Sequence, residues 1–259
     1  METIRVSADA RGVARLTLAR ADKHNALSAA MMDALAAAAA ALGADPGVRV
    51  VVLAAEGATF CAGGDLGWMR AQVAADAAGR AAEARRLAHM LRDLNTLPKP
   101  LIGRIQGDAF GGGVGLMAVC DLCIGAETAG FALTETRLGL IPATIGPYVL
   151  ARIGEAMARR VFMSGRRFAA AEAVTLGLLA RAVPATALDA AVEAEVAPYL
   201  ACAPGAVAAA KALARRFGPP IGEAEIAASV AALAARWESA EAAEGLAAFF
   251  ERRRPAWQG

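Results

Sequence analysis

A triple glycine, Gly111 to Gly113, opens an apolar run from Val114 to Cys120 that is long enough for two helical turns. Glycines ahead of a helix let the backbone turn tightly and let a ligand come close. They also aim unpaired N–H groups and the positive end of the helix dipole at that ligand. Downstream, Glu135 is an acid inside the otherwise apolar, turn-rich segment Phe131 to Pro142. Apolar surroundings disfavour a carboxylate's charged form, so such a group works as a base or an acid near neutral pH. Oxyanion donors with one carboxylate suit chemistry beside a carbonyl. A rival pattern overlaps the same residues: Gly113-x-Gly115-x-x-Ala118 with Glu135 beyond it matches a dinucleotide fingerprint. Against it, Gly107 to Phe110 separate the glycines from the preceding strand, and no βαβ repeat opens the chain.

The elements that position these residues follow from periodicity and punctuation. Ile4 to Val6 and Val13 to Leu18 predict a hairpin turning at Gly12. Ser28 caps a helix to about Leu42, ended by Gly43, with a turn at Pro46-Gly47. Val48 to Ala54 is a buried strand by its β-branched content. A glycine-bearing loop follows, Glu56 to Leu66. Trp68 to Thr96 reads as one or two helices. Pro98 and Pro100 then break the chain before a strand, Leu101 to Ile105. Beyond Pro142, helices are expected over Ala143 to Gly154, Glu155 to Ser164 and Ala169 to Gly177, then a short strand, Ala180 to Val183. The remainder is helical: Thr186 to Leu200, Gly205 to Phe217, Glu223 to Glu238 and Glu241 to Arg253. Pattern alone yields an α/β chain with a helical end.

At 259 residues the chain suits one domain or one and a half. No apolar run reaches the roughly 18 residues of a membrane span. The start, METIRVSADA, lacks a signal-peptide layout, so a cytoplasmic protein is expected. A net charge of +2 does not call for nucleic acid. Arg80, Arg85, Arg86 and Arg92 form a stripe, but Glu83 and Asp93 among them predict a solvated helix face. Cys120 and Cys123 make one C-x-x-C with no second pair for zinc, and with Cys61 and Cys202 they read as buried thiols. Serine-hydrolase, zincin and P-loop motifs are absent.

Three stretches, TFCAGGDL, QGDAFGGGVGLMAVCD and FALTETRLGLIPATIGPYV, resemble in order and spacing the motifs of the crotonase, or enoyl-CoA hydratase/isomerase, superfamily. The last is most similar to the bacterial methylglutaconyl-CoA hydratase-like branch. The resemblance implies an α/β spiral of repeated ββα units over residues 1–195, and a C-terminal helical region over 196–259 that makes a homotrimer or a dimer of trimers. It implies an acyl-CoA thioester substrate and no metal or redox cofactor, CoA arriving as part of the substrate. The N–H groups of Gly64 and Gly112 would hold the thioester oxygen, and Glu135 would carry the proton. Lys23, Asn25 and Ala26 match the loop beside the CoA phosphates and pantetheine. The carbonyls of Ala62 and Gly64 would meet the adenine, and Asp65 and Leu66 would also bind CoA. Phe249, Phe250 and Arg253 match the closing helix near the CoA tunnel, often that of a neighbouring subunit.

One departure stands out. Where the hydratases place a second glutamate, this chain has Gly115. The expected reaction is hydration of an enoyl-CoA, with 3-enoyl to 2-enoyl isomerisation as the alternative and a non-catalytic acyl-CoA- or RNA-binding protein as the rival of another class. In hydration the α-proton would return from Glu135 or from a second ordered water in the space Gly115 leaves.

Overall fold

The computed structural model describes residues 2–259. Strand β1 (Ile4–Ala8) pairs antiparallel with β2 (Val13–Leu18), and Gly12 takes the left-handed turn position at φ 83°. β2 then runs parallel to β3 (Val50–Ala55), which runs parallel to β4 (Leu101–Ile105). Every residue of β3 is buried, as a strand covered on both faces requires. Its side chains alternate with period two. Val51 and Leu53 join the large core, which includes Met31, Leu35, Leu91 and Leu116. Val50 and Val52 face the other way, onto Leu188, Val192 and Val196.

Helices fill the crossovers. α1 (Ala29–Ala44) starts where Ser28 Oγ accepts the Met31 N–H, as expected. It runs through Gly43, however, and stops only at the Pro46-Gly47 turn. The long helical stretch divides into α2 (Leu66–Ala74) and α3 (Ala77–Asn95), each with its own aspartate cap, Asp65 and Asp76. Next come β5 (Ala109–Phe110), α4 (Gly112–Val119), β6 (Leu122–Ala126) and β7 (Gly130–Ala132). α5 (Gly146–Phe162) begins three residues later than expected and holds Pro147 in its first turn. Gly154, at φ 73°, kinks it at the boundary read from the sequence. β8 (Phe168–Ala169), α6 (Ala170–Thr175) and β9 (Arg181–Val183) follow. The main sheet has the order β1-β2-β3-β4-β6-β9, and a small second sheet has the order β5-β7-β8. The sequence reading did not include β5 to β8. Three of them have two or three residues, too few to show a period, and β6 is a five-residue segment, LCIGA, that carries Gly125 and has no polar residue to mark an alternation.

The tail comprises α7 (Leu188–Leu200), α8 (Pro204–Phe217), α9 (Glu223–Trp237) and α10 (Ala240–Glu251). α7 covers the second face of the main sheet. α9 packs Ile226 and Val230 against Ala84 and Ala88 of α3. α10 packs Ala242 and Leu246 against Leu140. α8 has no buried residue and leaves Leu213 and Phe217 exposed. No single helix among the described residues is long and apolar enough to cross a membrane.

Two expectations concern residues outside the site. Cys61, Cys120 and Cys123 are buried, but Cys202 is exposed, at the end of α7 where no layer covers it. The arginine stripe is largely neutralised within the chain. Arg80 pairs with Glu238, Arg86 with Asp33 and Glu83, and Arg92 with Asp93 and Glu223.

Candidate active site

Two loops and two turns build the site. The loop after β2 is held by the fully buried Asn25, whose Oδ1 accepts the Arg20 N–H while its Nδ2 donates to the Glu56 and Thr59 carbonyls. That brings Leu27 alongside Gly64. The Leu27 N–H donates to the Gly63 carbonyl at 2.7 Å, and the Asp65 N–H donates to the Leu27 carbonyl at 3.0 Å. Peptide groups alternate in an extended chain, so the Gly64 N–H projects from the opposite edge, where no protein acceptor meets it.

The glycine turn lies against this edge. The Phe110 N–H donates to the Cys61 carbonyl, and the Gly111 N–H to the Ala132 carbonyl of β7. Gly111 adopts φ 48°, a value that favours glycine. Gly112 is the first residue of α4, so its N–H has no partner within the helix. Its nitrogen lies 3.7 Å from the position a Cβ would take on Gly63. Two unpaired N–H groups from separate segments thus face one space.

Glu135 enters that space from a 3-10 turn, Glu135–Leu138, closed by Gly139 at φ 71°. Its Oε1 lies 3.0 Å from where a Cβ on Gly111 would stand. Its Oε2 has no accessible surface and no hydrogen-bond partner. Taken whole, the residue is half-buried, with Oε2 sealed and Oε1 left to face the cavity. Burial pushes its pKa up from 4.5 to about 7. Near neutral pH the group is therefore split between base and acid.

Glu135, Gly64 and Gly112 line one cavity of about 1110 Å³. Lys23, Ala26, Ala62, Leu66 and Phe249 line it too. Asp65 also lines it, but its carboxylate is already committed. Oδ1 caps α2 through the Gly67 and Trp68 N–H groups, and Oδ2 pairs with Arg20 at 2.9 Å. Only its backbone remains for a ligand. Arg253 does not line the cavity. Glu244 and Glu251 hold its guanidinium at 2.6 Å each, because the chain reverses after α10 and folds Arg253 back along it.

The place of the missing carboxylate is filled. A Cβ on Gly115 would stand 2.5 Å from Ile145 Cγ2 and 3.6 Å from Leu91 Cδ1. The Ile145 side chain fills the space in which a second ordered water was expected. Sequence reading missed this residue, along with Trp68, Gln72 and Thr144, all of which line the cavity. The Trp68 ring lies 3.4 Å from the Cβ position of Gly64, and its Nε1–H donates to Glu83 at 2.7 Å. Gln72 was detectable as a polar residue one turn beyond Trp68, on the inward face of α2.

Comparison with known proteins decides the family. The profile of the enoyl-CoA hydratase/isomerase family matches residues 8–259. The chain belongs to that family. It is 33% identical over 258 residues to a Mycobacterium tuberculosis protein named "probable enoyl-CoA hydratase echA8", spanning 98% of this chain and 97% of that one. A crystal structure of an enoyl-CoA hydratase from Mycobacterium avium matches with a TM-score of 0.87 at 33% identity, over 99% of this chain and 100% of that one. One from Mycobacterium smegmatis matches with a TM-score of 0.81 at 36% identity, over the whole of both chains. The crotonase fold and an enzymatic role on acyl-CoA thioesters follow from membership of the enoyl-CoA hydratase/isomerase family.

Proposed function

We propose that the protein adds water across the 2,3 double bond of a 2-enoyl-CoA thioester with a single carboxyl group. The observation that carries this reading is the Glu135 carboxyl, its Oε2 sealed without a partner, on the same cavity as two unpaired glycine N–H groups. The thioester oxygen lies between the N–H groups of Gly64 and Gly112. Glu135 takes a proton from water, and the hydroxide adds to the β-carbon. The double-bond electrons move onto the thioester oxygen as an enolate, which the fixed donors stabilise without reorganising. The protonated Glu135 then delivers its proton to the α-carbon, so one water is consumed and the enzyme is restored. CoA itself runs past Lys23, Ala26 and Ala62 and brings no separate cofactor with it. A short or branched acyl group is expected, 3-methylglutaconyl included. The RNA-binding alternative has little support, since the arginines proposed for it are mostly paired.

Ile145 favours a second reading. With apolar packing where a second acid would stand, Glu135 alone suffices to move a proton between the α- and γ-carbons of a 3-enoyl-CoA. The test offers 2-enoyl-CoA esters, 3-methylglutaconyl-CoA among them, and separately a 3-enoyl-CoA, in oxygen-18 water. Label at the β-hydroxyl, formed at about 1–1,000 per second, supports hydration. Fast conversion of the 3-enoyl ester with negligible label in any product overturns it in favour of the isomerase.

Gly115→Glu is expected to lower crotonyl-CoA hydration at least tenfold and to lower Tm. The new side chain strikes Ile145, and overpacking a core costs about 1–3 kcal/mol. A second carboxylate also raises the pKa of Glu135 further. Faster crotonyl-CoA hydration by Gly115→Glu would show that a second acid was all the site lacked.

We also propose that the chain assembles as a trimer or a dimer of trimers. The support is α8, with Leu213 and Phe217 exposed and nothing among the described residues to cover them. Light scattering is expected to return a multiple of three chain masses, and a monomer at micromolar concentration refutes the assembly.

A further inference from the structure

Three polar residues among the described residues are buried: Asn25 at 0%, Gln72 at 5% and Thr144 at 6% exposure. Asn25 does not line the cavity, and its side chain makes three hydrogen bonds. Gln72 and Thr144 both line it. The Gln72 Oε1 is sealed from solvent with no partner, and no protein group among the described residues bonds its amide nitrogen or the Thr144 hydroxyl. Buried polar groups are ordinarily paired, and an unpaired one in a native protein calls for a reason. Gln106 Oε1, away from the cavity, is also sealed without a partner, but its amide nitrogen donates to the Gly57 and Thr59 carbonyls, whereas neither polar atom of the Gln72 amide is bonded. The sealed Oε1 is out of a ligand's reach, but a purely hydrocarbon acyl chain would leave the Gln72 amide nitrogen and the Thr144 hydroxyl unpaired when bound.

We infer that the acyl group of the substrate carries a hydrogen-bonding group at the end remote from the thioester, and that Gln72 is the specificity-determining residue that receives it. This rests on the enoyl-CoA reading above. α2 starts two residues after Gly64, and Trp68, Met69 and Gln72 lie on its cavity side. At about 1.5 Å per residue, Gln72 stands on the order of 10 Å along the chain path from the oxyanion glycine. It therefore reads a group several carbons beyond the carbonyl. Arg80 lies beside it, its Nε donating to the Gln72 carbonyl at 3.0 Å and its guanidinium 5.4 Å from the Trp237 ring centroid. Arg80 also lines the cavity, and its carboxylate partner Glu238 is largely exposed. An amide beside a guanidinium suits a hydroxyl or a carboxylate.

The probes are 2-enoyl-CoA esters of six and eight carbons, each ending in methyl, hydroxyl or carboxylate. Turnover is measured on the wild type, and affinity by calorimetry on Glu135→Gln, with and without Gln72→Leu. A site built to hydrogen-bond a substrate strongly rejects the analogue that lacks the group. A polar-ended ester of at least one length is expected to exceed its methyl-ended counterpart at least tenfold in kcat/KM and in affinity. Gln72→Leu is expected to bring that ratio to within about twofold and, by removing an unpaired amide, to raise the Tm of the ligand-free protein. Loss of a carboxylate preference in Arg80→Met assigns an anionic terminus, and a hydroxyl preference that survives Arg80→Met assigns a neutral one. A methyl-ended ester that matches or beats both polar ones overturns the inference. So does a Gln72→Leu protein with lowered Tm and unchanged preference. Absence of turnover with the binding preference intact sinks hydration and leaves this inference standing, whereas absence of any binding sinks both.

Discussion

Glu135→Gln is expected to lower turnover at least about 100-fold, the usual loss for a removed acid–base group, while CoA-ester affinity stays nearly unchanged. The amide keeps the size of the carboxyl and cannot exchange a proton. Fully active, purified Glu135→Gln would remove the residue from the mechanism. The pH behaviour sharpens the test. Burial raises the pKa from 4.5 to about 7, so wild-type kcat/KM should climb with pH and level off above about 7, and the residual rate of the variant should lack that rise. Stability moves the other way. At low pH the carboxyl is protonated in both states and costs nothing. Above 4.5 the unfolded chain releases its proton while the folded chain retains it, so stability falls until the folded group ionises near pH 7. The shift corresponds to about 3 kcal/mol. The Tm of Glu135→Gln should therefore pull ahead of the wild type between pH 4.5 and 7 and hold its lead above that. A Tm difference independent of pH would mean that the carboxyl is solvated.

Gly112→Pro is expected to fall about 100- to 1,000-fold below Gly112→Ala in turnover, the loss typical of one oxyanion donor, or roughly 3–4 kcal/mol. Proline removes the N–H, and the first position of a helix tolerates it. The alanine variant is the necessary reference. Any Cβ on Gly112 would stand 2.7 Å from Leu27 Cδ1, so both variants share that crowding and differ chiefly in the donor. Circular dichroism should show both folded. Equal activity in the two would exclude the Gly112 N–H from the oxyanion hole. The same geometry makes Gly64 more permissive to alanine, whose methyl would meet Trp68 and Met69 at 3.4 Å.

The local signals were legible because their causes are local. Ser28 caps α1, Gly12 turns the first hairpin and Gly154 kinks α5, each through bonds or dihedrals set within a few residues. Alternating and helical periods likewise marked β2, α9 and α10, where one face meets the core. The motif matches placed Gly64, Gly112 and Glu135 together, since their types and spacing were enough for the family resemblance. Elements of two or three residues, such as β5 and β8, had no period to display and exist only because β7 pairs with both. Tertiary packing decided the rest. Asp65 was spent on a helix cap and an ion pair with Arg20, a residue from a distant loop. Arg253 was turned away from the cavity by Glu244 and Glu251. A glycine at position 115 reads in sequence as an empty place, but whether that place holds water or a side chain depends on which residue packs across from it. Ile145 approaches from another element, and no spacing rule in the chain records that approach. For the same reason Gln72 could be read only as a polar residue on a helix. The walls supplied by α3 and α9 make it a buried amide beside the cavity, with its bonds unmade.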